Sequence, residues 1–274
     1  MTSYQHNHDD HDDDIPVGRV LSRRDMLKLL GGGSMALLAG MSLPAIVKAQ
    51  SGTATPMPSC VVKPELTEGP YFVANELNRF DLRSDPTTQM MRDGIPLYLV
   101  YNVTDVTGGQ CEPLADAQVD VWQCDADGVY SGVVDNSFDT TEEFWLRGFQ
   151  MSDETGKADF LTIIPGWYSG RAVHIHFKIR LASDTEEAYE FTSQFFFDPE
   201  FIETIYAEEP YANKGLPDTP NSTDFIYRDS EGQLTLELLA MDDEELSDLS
   251  DRWQQARLDE LEDGEELLDD DPIT

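Results

Sequence analysis

Residues 172–180, AVHIHFKIR, alternate apolar and polar side chains with a period of two, which is typical of a β-strand that buries one face. The alternation places His174 and His176 together on the face opposite the apolar residues. The other three histidines of the chain lie at positions 6, 8 and 11. Because imidazole is the commonest metal ligand, the pair predicts a strand that carries a metal site. The alternative is a strand that only exposes two histidines to solvent.

The residues around this strand supply further candidate ligands. Tyr168 and Arg171 lie just before it, after a Pro-Gly turn, and Tyr130 lies beyond the end of an earlier predicted strand. Binding phenolate at neutral pH means overcoming a phenol pKa of about 10, which takes a strongly Lewis-acidic ion. Either tyrosine alone could be an interface aromatic with a satisfied hydroxyl. Two phenols beside two imidazoles instead favour a hard ion, and iron(III) fits better than zinc or copper.

The rest of the chain between the termini is rich in short apolar runs separated by Gly, Pro and Asp turns. Strands are predicted over residues 95–106, 117–124, 158–164, 172–180, 191–197 and 233–240. The first two of these strands are expected to pair with each other. The pattern predicts an all-β fold, an antiparallel β-sandwich, over residues 65–240.

Residues 1–49 have the features of an export signal. Ser22 to Lys28, SRRDMLK, resembles the twin-arginine motif, and a weakly hydrophobic Gly-rich stretch and a small-residue cleavage site at residues 47–49 follow it. Three successive glycines and Pro44 disfavour the alternative of a transmembrane anchor. The expectation is export by the twin-arginine translocase to an extracellular or cell-surface location, with residues 50–64 as a linker.

The charge of the chain is extreme. The chain has 18 basic and 54 acidic residues, a net charge of −36. Such a surface repels nucleic acid and anionic lipid, and it resembles proteins of halophiles, in which salt screens the repulsion between carboxylates. Residues 241–274 are expected to form a solvated acidic tail, the alternative being a tail that binds cations or a partner.

Three cysteines allow one disulfide within the chain at most and leave one thiol. They are Cys60, Cys111 and Cys124, and their spacing matches no zinc pattern. Cys124 is interpreted as a small buried residue or as one partner of the bridge, and the pairing stays open.

Four segments of the chain resemble those of the intradiol ring-cleavage dioxygenases, the group that includes catechol and protocatechuate dioxygenases, and most closely their exported branch. The segments are LTEGPYF, VDVWQCDADGVYSG, PGWYSGRAVHIHF and FTSQFFFDP, and the resemblance covers residues 60–240. It implies a transthyretin-like (prealbumin-like) antiparallel β-sandwich. It also implies a non-haem Fe(III) that opens the ring of a catecholic substrate with O2 to a cis,cis-muconate-type diacid.

The same resemblance carries roles onto single residues. The iron ligands become Tyr130, Tyr168, His174 and His176, and Tyr168 becomes the ligand that the substrate displaces. Arg171 is expected to stabilise charge that builds up on the substrate ring, and Gln194 is expected to orient oxygen species.

Two departures from the family pattern affect the substrate site and assembly. Only five residues separate Tyr168 from His174, which implies a more open site, and the segment before residue 95 is too short for an N-terminal helical domain, so a homo-oligomer built on that domain cannot be assumed. Arg147 and Lys178 are candidate cations for a substrate carboxylate. The rival hypotheses are an exported β-sandwich that binds metal or ligand without catalysis, and a structural zinc site on the same strands.

Overall fold

The structure is a computed structural model that describes residues 35–38, 63–106, 111–181, 189–240, 244–245 and 247–255. Its ten strands lie, in chain order, at β1 Met35–Leu38, β2 Pro96–Asn102, β3 Thr104–Asp105, β4 Glu112–Pro113, β5 Gln118–Trp122, β6 Arg147–Met151, β7 Lys157–Ile163, β8 His174–Leu181, β9 Tyr189–Phe196 and β10 Glu237–Ala240. Strands therefore dominate the described part of the chain, which confirms the predicted all-β class.

Two four-stranded sheets face each other across one hydrophobic core. The first has the order β10-β1-β2-β7 and the second the order β6-β5-β8-β9. Alternate residues of β2 and β7 point inward against alternate residues of β5, β8 and β9, as Leu99, Phe160 and Ile175 do. The strands pair antiparallel except for β1 and β10, which are parallel. The transthyretin-like topology remains a prediction.

The predicted pairing of the first two strands is wrong. β2 pairs with β1 and β7, whereas β5 pairs with β6 and β8, so the two strands belong to opposite sheets. Strands that are neighbours in sequence often pair. Here the two strands lie in different sheets that pack face to face, so the apolar face of each strand is buried in the shared core. β6 was not predicted, because RGFQM has no clear alternation.

Three short helices follow β9. Asp198 caps α1, Pro199–Ile205, and Asp224 caps α2, Phe225–Asp229, each through a carboxylate that accepts backbone N–H groups of the first turn. A 3-10 helix, Tyr211–Asn213, lies between them. The sequence prediction contained no helix here, although Asp-Pro at 198–199 is a recognisable helix start.

A further helix, α3, covers residues 247–255 and packs on the outer face of the first sheet. Leu249 is buried there against Phe80, Tyr98 and Leu161. Trp253 Nε1 donates a hydrogen bond of 2.7 Å to Asp81 Oδ2. The expectation of a solvated tail after residue 241 is thus wrong for this helix, because its one apolar face is sufficient to dock it.

The cysteines and the N-terminal region can be placed in part. Cys111 is disulfide-bonded, and Cys124 is a free, buried thiol, as one of the two interpretations expected; Cys60 lies outside the described residues. β1 lies inside the predicted signal, and the remainder of residues 1–62 lies outside the described part of the chain. Within that described part, no helix is both long and apolar enough to span a bilayer.

Candidate metal centre

The two predicted histidines lie on the outer face of the second sheet. β5 pairs with both β6 and β8, and β8 pairs with β9, so one row of neighbouring residues crosses the four strands: Arg147, Trp122, His176 and Gln194. His174 lies two residues before His176 on the same face. Loops and the segment 63–72 cover this face, so both histidines are no more than 2% exposed. The hypothesis of a solvent-exposed histidine pair is therefore wrong.

Four side-chain donor atoms converge at this point. Nε2 of His174 lies 3.0 Å from Nε2 of His176, and it lies 3.2 Å from the hydroxyl oxygen of Tyr168 and 3.4 Å from that of Tyr130. The structure thus brings together all four residues that the sequence predicts as ligands. Donors bound to one ion at about 2 Å, at angles of about 90–120°, lie about 2.8–3.5 Å apart. The observed separations fit a single small ion.

The protonation chemistry of the four groups also fits a cation. Burial raises the pKa of Tyr130 well above its usual range and raises the pKa of Tyr168 to about 12. Burial lowers the pKa of His174 to about 3 and that of His176 well below its usual value. The imidazoles are therefore neutral, the form that binds metal, whereas the phenols need a strong Lewis acid to lose their protons.

The surroundings orient the two imidazoles. His174 Nδ1 donates a hydrogen bond of 2.6 Å to the carbonyl of Ala172, which leaves the lone pair of Nε2 directed at the centre. The ring of His176 stacks on Trp122 at 4.9 Å between centroids. Gly69 has a φ of +72°, and a Cβ there would lie 3.2 Å from His176 Cε1, so glycine alone lets this backbone approach the ring.

The tyrosines are held on two neighbouring loops. Lys214 Nζ donates hydrogen bonds to the carbonyls of Asp127 and Trp167, and thereby joins the loop before Tyr130 to the loop before Tyr168. Tyr130 is fully buried, whereas Tyr168 is partly exposed. Tyr168 is therefore the ligand candidate on the solvent side.

The wall of the site beside Tyr130 is aromatic. Tyr71 stacks on Tyr130 at 4.4 Å between centroids, and its hydroxyl donates a hydrogen bond of 2.6 Å to Asp135. Phe72 packs edge-on against Trp122. The segment predicted only as a Gly-Pro turn with two aromatics thus builds one side of the cavity.

Arg171 and Gln194 form one buried network. Arg171 Nη2 donates a hydrogen bond of 2.6 Å to Gln194 Oε1, and Gln194 Nε2 donates one of 2.9 Å to the carbonyl of Thr67. Both ends of the Gln194 amide are therefore engaged within the protein. Gln194 therefore links Arg171 to the segment 63–72, and its role toward oxygen species stays a prediction.

Asp224 is the functional residue that sequence reasoning missed. Its Oδ2 accepts hydrogen bonds from Arg171 Nε at 2.9 Å and from the amide of Ala172 at 2.7 Å. The only sequence signal was its position as a helix cap. Burial alone would raise the pKa of this carboxyl group, but Arg171 and the backbone donors outweigh that effect and lower it. Asp224 is therefore ionised and fixes the direction of the Arg171 guanidinium.

Neither cation that was expected to bind a substrate carboxylate is available for that role. Arg147 is 1% exposed and donates hydrogen bonds to Tyr71 and Ser131. Lys178 forms an ion pair with Glu68 and lies 3.4 Å from Glu190. Both side chains are bound inside the protein, and this expectation is wrong. Among the described residues, no group of three or more His, Cys, Asp or Glu could hold a metal, so any site there depends on the tyrosines.

Comparisons with known proteins find dioxygenases that are similar to this chain. Residues 67–173 match the family described as Dioxygenase (Dioxygenase_C). The chain is 27% identical to catechol 1,2-dioxygenase 1 of Acinetobacter lwoffii over 158 residues, 48% of this chain and 45% of that protein. It is 29% identical to chlorocatechol 1,2-dioxygenase of Pseudomonas putida over 156 residues, 48% of this chain and 52% of that protein. The chain thus spans about half the length of these two relatives.

A solved structure gives a longer match. An intradiol ring-cleavage dioxygenase from Tetranychus urticae is 31% identical, with a TM-score of 0.54, and the match covers 69% of this chain and 90% of that one. This likeness extends over nearly the whole of the compared protein. The chain belongs to the intradiol ring-cleavage dioxygenase family.

Proposed function

We propose that the protein is a non-haem iron(III) intradiol dioxygenase that cleaves the ring of a catechol-type diol with O2 and yields a cis,cis-muconate-type diacid. Two phenol oxygens and the Nε2 atom of His176 lie within 3.0–3.4 Å of His174 Nε2, and this convergence carries the proposal. Both atoms of O2 enter the product, so the reaction needs no external reductant. A structural zinc site does not require two tyrosines and a fixed arginine beside the histidines.

In this proposal Tyr130, Tyr168, His174 and His176 hold the ion. Ferric iron supplies a Lewis-acidic centre that makes the bound catecholate reactive toward O2. Tyr168 lies on the solvent side, so it is the ligand that a substrate reaches first, and its Oη accepts a proton from a catechol hydroxyl.

Arg171 supplies a fixed positive charge beside the ring. Asp224 and Gln194 hold the guanidinium from two sides, so little reorganisation is needed when negative charge develops on the substrate. The stacked aromatic side chains Tyr71 and Trp122 exclude water from the buried half of the centre.

The proposed substrate is a catechol without a carboxylate requirement. The two cations considered for such a group, Arg147 and Lys178, are engaged in the interior. The two curated relatives act, by their names, on catechol and chlorocatechol. Free catechol or a hydroxylated plant-derived phenol fits both observations.

Oxygen uptake tests the proposal. The iron-loaded protein should be reddish because of tyrosinate-to-iron charge transfer, the band should shift when catechol is added without O2, and admission of O2 should consume one O2 per catechol with formation of the diacid. A protein that binds iron and shows the band but consumes no O2 with any catechol would support the rival, a binding module without catalysis. A colourless protein loaded with zinc would overturn the iron assignment.

We further propose that the protein is exported by the twin-arginine translocase and works in salt outside the cell. The paired arginines in residues 22–28 and the charge of −36 support this, as does the disulfide of Cys111, since such bonds persist in oxidising compartments. Detection of the protein only in the cytoplasm, with residues 1–49 retained, would contradict it. A homo-oligomer remains an open part of the proposal, and light scattering measures it.

A further inference from the structure

Arg147 is a buried cation beside the metal centre that the proposed reaction does not use. It begins β6 and lies in the row that continues through Trp122 and His176, so its side chain shares the outer face of the sheet with the candidate ligand. The side chain is fully enclosed, with 1% exposure. A guanidinium is costly to bury, since removing such a charge from water costs several kcal/mol before any compensation.

The hydrogen bonds of Arg147 enclose Tyr130 from two sides. Nε donates to the Ser131 hydroxyl at 3.0 Å, and Nη2 donates to the Ser131 carbonyl, directly after Tyr130 in the chain. Nη1 donates at 3.2 Å to the carbonyl of Tyr71, whose ring stacks on that of Tyr130. One guanidinium thus fixes both the backbone of Tyr130 and the ring that lies on it.

Among the described residues, no carboxylate forms an ion pair that balances the charge of Arg147. Its acceptors in these bonds are all uncharged oxygens, and within the described ranges no Asp or Glu forms an ion pair with it. Burial lowers the pKa of Arg147 to about 10, so the group is still a cation at neutral pH. Buried charges are normally paired, and the phenol of Tyr130 is an acidic group that interacts electrostatically with this cation.

We propose that Arg147 is a positioning residue for Tyr130: it fixes the orientation of the ring and supplies the positive charge that balances its phenolate in the iron-bound protein. The inference rests on the proposed ferric centre and deepens it, because it assigns the stability of one iron–tyrosinate bond to a residue outside the ligand set. A residue that only stabilised β6 would have no effect on the electronic state of Tyr130.

Two variants separate geometry from charge. Arg147→Lys keeps a positive charge but cannot make the three-way set of bonds, and Arg147→Met removes both. Arg79→Lys is the matched control: Arg79 is a buried arginine that donates hydrogen bonds to the carbonyls of Ser84, Phe144 and Arg147. The Arg79→Lys variant tests the general effect of removing a buried guanidinium from this region.

The readouts are the thermal midpoint, the iron dissociation constant by competition with a chelator, and the energy of the tyrosinate-to-iron band. We expect both Arg147 variants to raise the iron dissociation constant about 10- to 100-fold, the usual effect of losing a partner that orients a ligand. The band should move to longer wavelength in Arg147→Met, because a phenolate without a nearby cation is a better electron donor, and should stay near the wild-type position in Arg147→Lys. Arg79→Lys should lower the midpoint and leave affinity and band unchanged.

Wild-type iron affinity and an unshifted band in Arg147→Lys, together with the same result in any folded Arg147→Met protein, would overturn the proposal and leave Arg147 a structural residue. A band shift in Arg79→Lys as large as the band shift in Arg147→Met would also overturn the proposal. The failure of the proposed function looks different: the wild-type protein itself then shows no iron band, whatever residue is at position 147.

Discussion

At the scale of the residue, the centre is defined by which atoms are already engaged elsewhere. His174 Nδ1 and both ends of the Gln194 amide are engaged by backbone or side-chain partners, whereas His174 Nε2 faces three other donors. Asp224 then links Arg171 to the chain just before His174. The candidate ligand atoms and the groups that orient them belong to different residues. We therefore expect single substitutions to separate iron binding from turnover.

Removal of a histidine ligand should affect iron binding, whereas removal of the tyrosine ligand that also accepts a proton should mainly affect activity. His176→Ala should lose iron because it removes one of the four donor atoms at the centre. Tyr168→Phe should retain iron through the other three ligands, shift the band and lose most activity, because it removes the solvent-side phenolate that is proposed to accept the substrate proton. Metal analysis, visible spectra and O2 uptake measure these effects. Tyr101→Phe is the matched control, since the Tyr101 hydroxyl is buried without a partner and its loss should change none of the three. Full activity of an iron-free His176→Ala protein would contradict the ligand assignment.

Asp224→Asn should impair catalysis without removing iron. An amide cannot hold the Arg171 guanidinium as an ionised carboxylate does, and a small displacement of a catalytic group can cost about 100-fold in rate, so we expect kcat/KM to fall about 10- to 100-fold. Asp198→Asn makes the same change at the cap of α1 and should leave kcat/KM unchanged. Equal losses in the two variants would mean that Asp224 acts only as a helix cap.

The sequence predicted the four residues that converge at the centre better than it predicted their surroundings. The histidine spacing and the two tyrosines were sufficient, because a strand period fixes which side chains share a face. The partners of Gln194 and the role of Asp224 depend on contacts between positions more than 20 residues apart, and no local pattern encodes them.

At the scale of the element, the second sheet carries the site and the first sheet carries the attached helix α3. β8 has histidines on its outer face and apolar residues on its inner face, so one strand contributes to both core and site. Strand positions were largely predictable from alternation. The pairing of β5 with β6 and β8, rather than with β2, was not, since it depends on how two sheets share one core.

Arg252 of α3 binds Asp159 of β7, and this contact should make the stability of the protein depend on pH in the acid range. Burial alone would raise the pKa of Asp159, but hydrogen bonds from Arg252, Lys157 and Tyr98 outweigh it and lower the pKa from 3.8 to about 2. A lowered pKa means that the stabilisation is present above pH 3.8 and is lost as the pH falls toward 2. The shift corresponds to about 2 kcal/mol of unfolding free energy at neutral pH.

Asp159→Asn should therefore be less stable by about 2 kcal/mol at neutral pH, and the difference should vanish near the lower pKa, where both side chains are uncharged. Denaturant unfolding across this pH range measures it. Asp251→Asn, at an exposed position of α3, is the control for the removal of one negative charge. If the difference in unfolding free energy between the two proteins stays constant with pH, the charge of the Arg252–Asp159 ion pair contributes nothing to stability.

At the scale of the whole molecule, we expect the net charge of −36 to make the stability of the fold depend on salt. The chain carries 54 acidic against 18 basic residues, and residues 1–49 account for only six and five of these. Carboxylates at this density repel one another, and salt screens the repulsion over about 10 Å at 0.1 M and about 3 Å at 1 M. The composition predicts this dependence directly.

The melting temperature should rise as salt increases from millimolar to molar, and structure should be lost on desalting. Circular dichroism during thermal unfolding at a series of chloride concentrations measures this. Sucrose at matched osmolality is the control, because it strengthens burial without screening charge. An equal melting temperature at the two extremes of salt would show that the acidic surface does not limit stability.

The central claim is that one ferric ion binds between two tyrosines and two histidines of neighbouring loops and strands. A crystal structure of the iron-loaded protein, with anomalous diffraction recorded on both sides of the iron absorption edge, tests it most directly. The account predicts a single strong iron peak bonded to Oη of Tyr130 and Tyr168 and to Nε2 of His174 and His176. An iron peak bonded elsewhere, or no iron peak between these four atoms, would contradict it.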